Sequence, residues 1–505
     1  MIKREHLGTA AIVALFAAYV AFRFWRLTAA CLWFDEIFSV YAASRPWSSI
    51  LGFVAQDLIH PPLFYLLLKL WTTVGGEGLF WVRMFPFAFA AAALIPLYFL
   101  ARDLRLRTPQ AVLAIAFIAS SGTLIKYAQE VRMYSVVFCV SLFSIWLFVR
   151  FFYLGKNIWI LTAVNAVLIC THYFGWLLVV AQMVAIVAFQ RIKIRQMLIM
   201  LGILIVVFAP WIVYVYETSV ATTGLAQNIG WIGTPGIKDT VSFGFDLIEP
   251  FYFDQNNKDA PSMFVFTVPI ALILFASLII YLADFATVDE RERSNFRLLA
   301  VLAGAPVAVA YVASWILPYS IWGTRHLIFV LAPLAIVASI AINGISAKVV
   351  RVSAVALISA AIVFAFVARA TTPPKTFIWC AWEEFAAKVP DSGPVTIYTF
   401  EDLVAYDTWF AVRERPNISV KKVNGIEGLD EDRAFFIPRG FSAIETIDEK
   451  AITVGRFYIA YRSLEWNEKH PPLRNLINKG YELGEPVVFE AQGNLAFLVE
   501  VRKKQ

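Results

Sequence analysis

The chain is poor in charge. Only 16% of its 505 residues are charged and 60% are hydrophobic, with a mean hydropathy of +0.68. A soluble domain carries nearer ~25% charged residues, so this much apolar surface needs lipid as its solvent. Cysteine is scarce too: Cys31, Cys139, Cys170 and Cys380 form no C-x-x-C pair and suggest neither a zinc knuckle nor a disulfide framework. No repeat relates the two halves, which speaks against an inverted-repeat transporter. The formal charge of +6 does not call for a nucleic-acid partner, because most cations sit in short loops between apolar runs, where positive-inside bias puts them. Arg23, Trp25 and Arg26 follow the first apolar run in place of a small-residue cleavage site, so that run reads as an uncleaved first span.

What is abundant is long apolar runs. A helix needs about 20 apolar residues to cross a bilayer. Suitable runs lie near 7–27, 79–101, 109–127, 133–153, 157–172, 174–190, 197–216, 263–284, 298–317, 326–346 and 352–370, which predicts about eleven crossings. Every alternate loop is basic: Lys3 and Arg4; Arg102, Arg105 and Arg107; Arg150 and Lys156; Arg191, Lys193 and Arg195; Arg291, Arg293 and Arg297; Lys348 and Arg351. These loops are expected to face the cytoplasm. Arg23 and Arg26 are the exception, at the outer end of the first span.

The segment 61–71 (PPLFYLLLKLW) is apolar but short, and Gly75-Gly76 stops it. A crossing there would invert every later loop, so it reads as an interfacial amphipathic helix inside an outer loop spanning 28–78. Pro at its start suits a first helical turn. An odd span count places the tail outside. Long apolar runs end near 370, and residues 371–505 alternate strand-like pieces (395–400, 434–437, 457–461, 495–501) with helical ones. The expected architecture is a polytopic α-helical membrane domain over 1–370 with a small extracytoplasmic α/β domain over 371–505.

Ionisable residues near hydrocarbon are expensive and point to function. On this topology they collect on the outer side: Asp35 and Glu36, His60, Gln129, Glu130 and Arg132, His172 and Tyr173, Arg325 and His326. Each has a plainer reading. Asp35-Glu36 can be a solvated structural pair, although it follows Trp33-Phe34; His60 can cap the interfacial helix. Glu130 and Arg132 can form an internal ion pair, His172 and His326 can be satisfied structural histidines, and Lys69 can snorkel to headgroups. Arg325 at a helix start opposes the macrodipole, which calls for a compensating anion such as a phosphate. Asp430-Glu431-Asp432 reads as a solvated charge run and His470-Pro471-Pro472 as a turn.

Trp33-Phe34-Asp35-Glu36, then His60-Pro61-Pro62-Leu63-Phe64-Tyr65 with Lys69, Trp71 and Arg83, resembles the first outer loop of the protein O-mannosyltransferase and aminoarabinose-transferase (ArnT-like) branch of the GT-C superfamily. Ala128-Gln129-Glu130-Val131-Arg132-Met133-Tyr134 resembles its second outer loop, and Thr171-His172-Tyr173 and Gly323-Thr324-Arg325-His326 with Pro333 are similar to later pieces in family order. The resemblance covers the chain to about residue 370 and implies the GT-C fold. It also implies an inverting transfer outside the cytoplasm, from a polyprenyl-phosphate sugar to a lipid, glycan or protein acceptor.

The same compartment argument follows from chemistry: outside there is no nucleotide sugar, so an activated sugar arrives on a lipid. The resemblance makes Asp35 the base on the acceptor hydroxyl, with Glu36 beside it. His60, Lys69, Arg132 and Arg325 become the donor-phosphate ligands, and Glu130, His172 and Tyr173 supporting groups. ArnT-like relatives carry lysine where this chain has His60, which would keep the phosphate role only when protonated or would bind metal instead; a divalent cation stays open, with Asp35, Glu36, His60, Glu130 and His172 as candidate ligands. The expected partners are membrane lipid, the lipid-linked donor and an outer acceptor, and the expected location is a bacterial inner membrane. The rivals are a lipid or sugar flippase, which calls for charges at mid-membrane, and a membrane scaffold, which leaves the outer polar cluster unexplained.

Overall fold

The computed structural model describes residues 2–220, 230, 232–251, 263–374, 376–428, 437–491 and 493–504. The charge run at 430–432 and nearly all of the strand expected at 434–437 lie outside the described residues. The chain divides into two units, Met1–Thr28 with Pro46–Pro374, and Ala29–Arg45 with Lys375–Gln505.

In the first unit each expected span coincides with a helix or a broken pair of helices. Helices Leu79–Ala92 and Leu94–Asp103 share one span, and Thr108–Ser120 and Gly122–Ala128 share the next. The latter break is held by Ser121, which bridges to Pro250 while Gly122 donates to the Glu249 carbonyl at 2.9 Å. Among the described residues, six helices are long and apolar enough to cross a membrane, among them Tyr134–Leu154, Glu290–Ile316 and Lys348–Thr371.

The helix ends sort into two faces. At one end, Arg107 donates to Glu292 (2.7 Å), Arg291 to the Asp103 carbonyl (3.1 Å) and Lys193 to the Phe151 carbonyl (2.8 Å). Tyr153 donates to Asn295 (2.8 Å) and Ser346 to Asp284 (3.0 Å) at the same end. The alternate basic loops therefore gather on one face. The two exceptional arginines lie at the other. Arg23 is fully buried and donates to the Tyr19, Ile118 and Ala119 carbonyls at 3.0, 2.9 and 3.3 Å, its guanidinium 3.4 Å from the Tyr19 ring centroid. Arg26 donates to Ala370 and Thr372 carbonyls at 3.4 and 2.6 Å. Both satisfy last-turn carbonyls of a neighbouring span, where helix ends have no internal donors and a cation complements the macrodipole. Their place outside the basic loops is a matter of helix capping.

Helix Leu63–Gly75 has 13 residues, about 20 Å at ~1.5 Å per residue and short of a ~30 Å core. It starts and finishes on the arginine-capped face. His60 before it meets Arg132, while Arg83 after it donates to the Leu27 carbonyl (2.9 Å). Trp71 and Trp81 stack at 4.6 Å and exchange indole-to-carbonyl bonds of 2.8 and 2.9 Å across the turn, which Gly76 makes at φ +79°.

Among the described residues, the second unit contains a seven-stranded mixed sheet. Strands β1 (Val395–Thr399), β2 (Ile418–Asn424), β3 (Glu445–Asp448) and β4 (Arg456–Ser463) run parallel in the order β3-β2-β1-β4. Then β7 (Asn494–Lys503) pairs antiparallel with β4. Its free edge takes β5 (Tyr481–Leu483) and β6 (Val487–Ala491) in succession. Alternation along β4 and β7 sends Ala460, Ala496 and Leu498 to one core, under helices Ala381–Lys388 and Asp402–Val412. It sends Phe457, Ile459, Phe497 and Val499 to the other, against Leu473 and Leu476 of helix Leu473–Asn478. The strands expected at 395–400, 457–461 and 495–501 are thus present.

Two expectations are corrected. Cys31 and Cys380 form a disulfide across 349 residues, their Cα atoms 5.5 Å apart; a pair so distant in sequence has no spacing signal, and only the fold brings it together. Arg325 lies in a turn before the short 3-10 segment Ile328–Val330 and helix Leu331–Gly344, so the macrodipole argument for an anion there falls.

Candidate functional site

In the first unit the polar residues form a connected group at the arginine-capped face. Helix Trp47–Asp57 ends in Leu58, at φ +66°, and this left-handed stop turns the chain so that Asp57 and His60 meet. Asp57 Oδ2 lies 2.5 Å from His60 Nδ1, and His60 Nε2 lies 3.1 Å from Arg132 Nη2. A guanidinium nitrogen can only donate. Nε2 is therefore the acceptor, the ring hydrogen is on Nδ1, and Nδ1–H donates to the Asp57 carboxylate. His60, expected as a phosphate donor, has its acceptor nitrogen committed to Arg132. It links a partly buried carboxylate to a buried guanidinium.

Arg132 is 4% exposed and sits in the turn 129–133 between helices Gly122–Ala128 and Tyr134–Leu154. Its N–H donates to the Glu130 carbonyl at 2.7 Å. Gln129 fixes that turn to the end of the first helix, donating to the Arg23 and Trp25 carbonyls at 3.1 and 2.6 Å. The Glu130 side chain is 2% exposed in the same turn.

His172 and His326 complete the group. The His172 ring centroid lies 6.1 Å from that of His60 and 6.3 Å from that of His326. Phe174 N–H donates to His172 Nδ1 at 3.1 Å, and His326 Nδ1–H donates to the Ile321 carbonyl at 2.9 Å. Burial holds the His172 imidazole well below its usual range, and the neighbouring charges of His60, His326, Arg132 and Arg325 push the same way. Burial first and Arg325 second bring His326 down to about 3, against the Ile321 bond. Tyr173 accepts from Trp211 Nε1 at 3.0 Å; burial pushes its phenol up to about 12, with Asp57 adding to the rise and the Trp211 bond opposing it. Lys69 is 7% exposed, with its ammonium 5.1 Å from the Trp47 ring centroid.

Three carboxylates absent from the sequence reading support this face. Asp57 is one. Asp246, on helix Ile237–Ile248, accepts from Thr324 Oγ1 at 2.7 Å and so anchors the turn that carries Arg325. Glu249, 4% exposed, pairs with Arg369 at 3.4 Å. The i, i+3 spacing of Asp57 and His60 was a usable signal in the sequence; the other two need the fold.

In the second unit, Asp35 and Glu36 open helix Phe34–Ser44. Two acids in a first turn face the positive end of the helix dipole. Glu36 is fully buried and accepts the Trp33 N–H at 3.3 Å, a capping role. The Asp35 carbonyl accepts from Ser39 Oγ at 3.0 Å, and its side chain is partly exposed. Among the described residues, no group of three His, Cys, Asp or Glu side chains is arranged to hold a metal ion.

Comparison with solved structures finds ArnT from Cupriavidus metallidurans bound to undecaprenyl phosphate, with a TM-score of 0.58 and 11% identity over 98% of each chain. The chain has the GT-C fold. The apo state of the same ArnT matches at 0.56 and 11% identity, covering 97% of this chain and 98% of that one. The archaeal oligosaccharyltransferase AglB from Archaeoglobus fulgidus, in complex with an inhibitory peptide and a dolichol-phosphate, matches at 0.50 and 12% identity, covering 82% and 64%. No family model and no curated protein matches the sequence. With a GT-C fold and its apolar helices, this is a multi-pass membrane protein.

Proposed function

We propose that this GT-C protein is an inverting glycosyltransferase that moves a sugar from a polyprenyl-phosphate donor to an acceptor outside the cytoplasm. The observation that carries the reading is the Arg132 guanidinium, buried and held by His60, which Asp57 holds in turn, with Arg325 close enough to bias His172 and His326. A fixed guanidinium in a low-dielectric site suits a phosphate oxyanion, and one neighbour of this fold was crystallised with undecaprenyl phosphate.

In the proposed reaction Asp35 takes the proton of the acceptor hydroxyl as its oxygen attacks the anomeric carbon. The bond from that carbon to the phosphate oxygen breaks, and the electron pair leaves with the polyprenyl phosphate. Arg132 and Arg325, with Lys69, stabilise the charge that develops there. His60 positions Arg132, Glu36 holds the turn that presents Asp35, and Glu130, His172 and Tyr173 shape the cationic face. The gathering of alternate basic loops on one face supports a cytoplasmic side there. The Cys31–Cys380 pair supports an oxidising compartment for the second unit.

The test is transfer by the purified protein from radiolabelled polyprenyl-phosphate sugars, resolved by thin-layer analysis. Turnover is expected only with the lipid-linked donor. Transfer from a nucleotide sugar without lipid carrier would sink the reading.

A further inference from the structure

The acidic helix does not fold with the spans that precede and follow it in sequence. Residues Ala29–Arg45 belong to the same compact unit as the C-terminal 131 residues, Lys375–Gln505. A helix of 11 residues such as Phe34–Ser44 is marginal by itself in water, since isolated helices shorter than ~12–15 residues rarely persist. Its order must come from what it packs on.

That support can be followed from the sheet outward. Helix Asp402–Val412 is tied to the sheet at its start by two ion pairs, Glu401 with Arg462 of β4 at 2.6 Å and Asp402 with Lys422 of β2 at 2.5 Å. Its face toward the acidic helix is aromatic. Phe34 meets Tyr406 at 5.2 Å between ring centroids, and Tyr41 meets Trp409 at 5.3 Å and Phe441 at 4.9 Å. Positions 34 and 41 lie two turns apart on one face, so the seam fixes both the axis and the rotation of the helix. The disulfide fixes the remaining freedom: Cys31, three residues before Phe34, is bonded to Cys380, which directly precedes helix Ala381–Lys388. Asp35 lies on the helix between these two anchors.

We propose that the C-terminal domain is a clamp that positions the Asp35–Glu36 helix, with Cys31, Cys380 and Trp409 as positioning residues. The domain's first task is then orientation of the proposed base rather than recognition of the acceptor. This inference rests on the reading of Asp35 above, but the clamp itself can be measured without turnover.

The experiment uses the full chain in detergent or nanodiscs, as wild type, Cys31→Ser/Cys380→Ser, Trp409→Ala and Trp409→Phe. Hydrogen exchange is followed at the amides of residues 34–44, with the amides of β4 and β7 reporting in the same sample that the sheet is folded. Donor KM and kcat are measured in parallel. Both the cysteine variant and Trp409→Ala should speed exchange in 34–44 by at least ~10-fold with β4 and β7 unchanged. Their kcat should fall about 10-fold while donor KM stays within about twofold, and Trp409→Phe should restore both readouts. Unchanged exchange in 34–44 in both variants overturns the clamp, as does a loss carried by donor KM. If wild type transfers no sugar and exchange still responds, the clamp stands and the glycosyltransferase reading fails.

Discussion

The linkage Asp57–His60–Arg132 makes a quantitative demand. Asp57 Oδ2 is 2.5 Å from His60 Nδ1, and His60 Nε2 is 3.1 Å from Arg132 Nη2. Hydrogen bonds to charged groups contribute about 1.5–3 kcal/mol, against about 0.5–1.5 kcal/mol for neutral ones. Asp57→Asn keeps a carbonyl for Nδ1–H but removes the charge, a loss of about 1 kcal/mol. If that loss is felt only when phosphate charge develops, kcat falls about fivefold. Asp57→Ala removes the whole bond and releases the ring to its other tautomer, in which Nε2–H faces an Arg132 N–H. The expected loss is then about 10- to 100-fold, from ~1.5–3 kcal/mol at ~1.4 kcal/mol per decade.

Substitution at His60 separates the tautomer argument from simple packing. His60→Gln retains a carbonyl that can accept from Arg132 and should keep more activity than His60→Lys, whose ammonium cannot accept at all. The assay is initial rate against donor concentration for all four variants, at matched folded fraction. Wild-type kcat/KM in a folded Asp57→Ala protein, or His60→Lys outperforming His60→Gln, would refute the reasoning.

Three further outcomes are expected. Asp35→Asn should fold and bind donor lipid but lose transfer by about 10²–10⁴-fold, while Glu36→Gln, which keeps a carbonyl for the Trp33 N–H, should be much milder; parallel rates and donor-binding isotherms check both. Arg23→Met leaves the Ile118 and Ala119 carbonyls without their donor and should cost about 2–4 kcal/mol of stability, seen as a lower melting temperature in detergent that Arg23→Lys partly recovers. Asp407 is buried in the second unit, and that burial, with Glu383 adding and Arg462 opposing, holds its carboxyl well above the usual 3.8. The folded chain therefore keeps a proton that the unfolded chain releases, and stability falls as pH rises above about 4. Asp407→Asn should melt higher than wild type at pH 7.5 and equal to it near pH 4; equal melting at both pH values would contradict the burial argument.

The spans could be read from the sequence because a bilayer imposes a length: about 20 apolar residues per crossing leave a mark that no tertiary contact can erase. The same pressure exposed His60, Arg132, His172 and Arg325, since polar groups at the ends of apolar runs are few and conspicuous. Strands β1, β4 and β7 were legible by alternation, whereas β3 and β5 are four and three residues long and exist only as partners of longer strands. Arg23 and Arg26 showed as exceptions to the charge pattern, but the Ile118, Ala119, Ala370 and Thr372 carbonyls that explain them are backbone groups with no signature in residue type.

What the sequence determined alone was therefore the solvent of each segment: which residues lie in lipid, which in loops, and which charges lie close to the hydrocarbon. The tertiary structure decided who meets whom. It joined Cys31 to Cys380, placed the acidic helix with the C-terminal sheet, set Asp57 against His60 and Asp246 against Thr324, and faced His60 Nε2 with an Arg132 N–H. The physical reason is range. Hydropathy acts residue by residue along the chain, while hydrogen bonds, ring packing and a disulfide act over a few ångströms between residues that the sequence sets up to 349 positions apart.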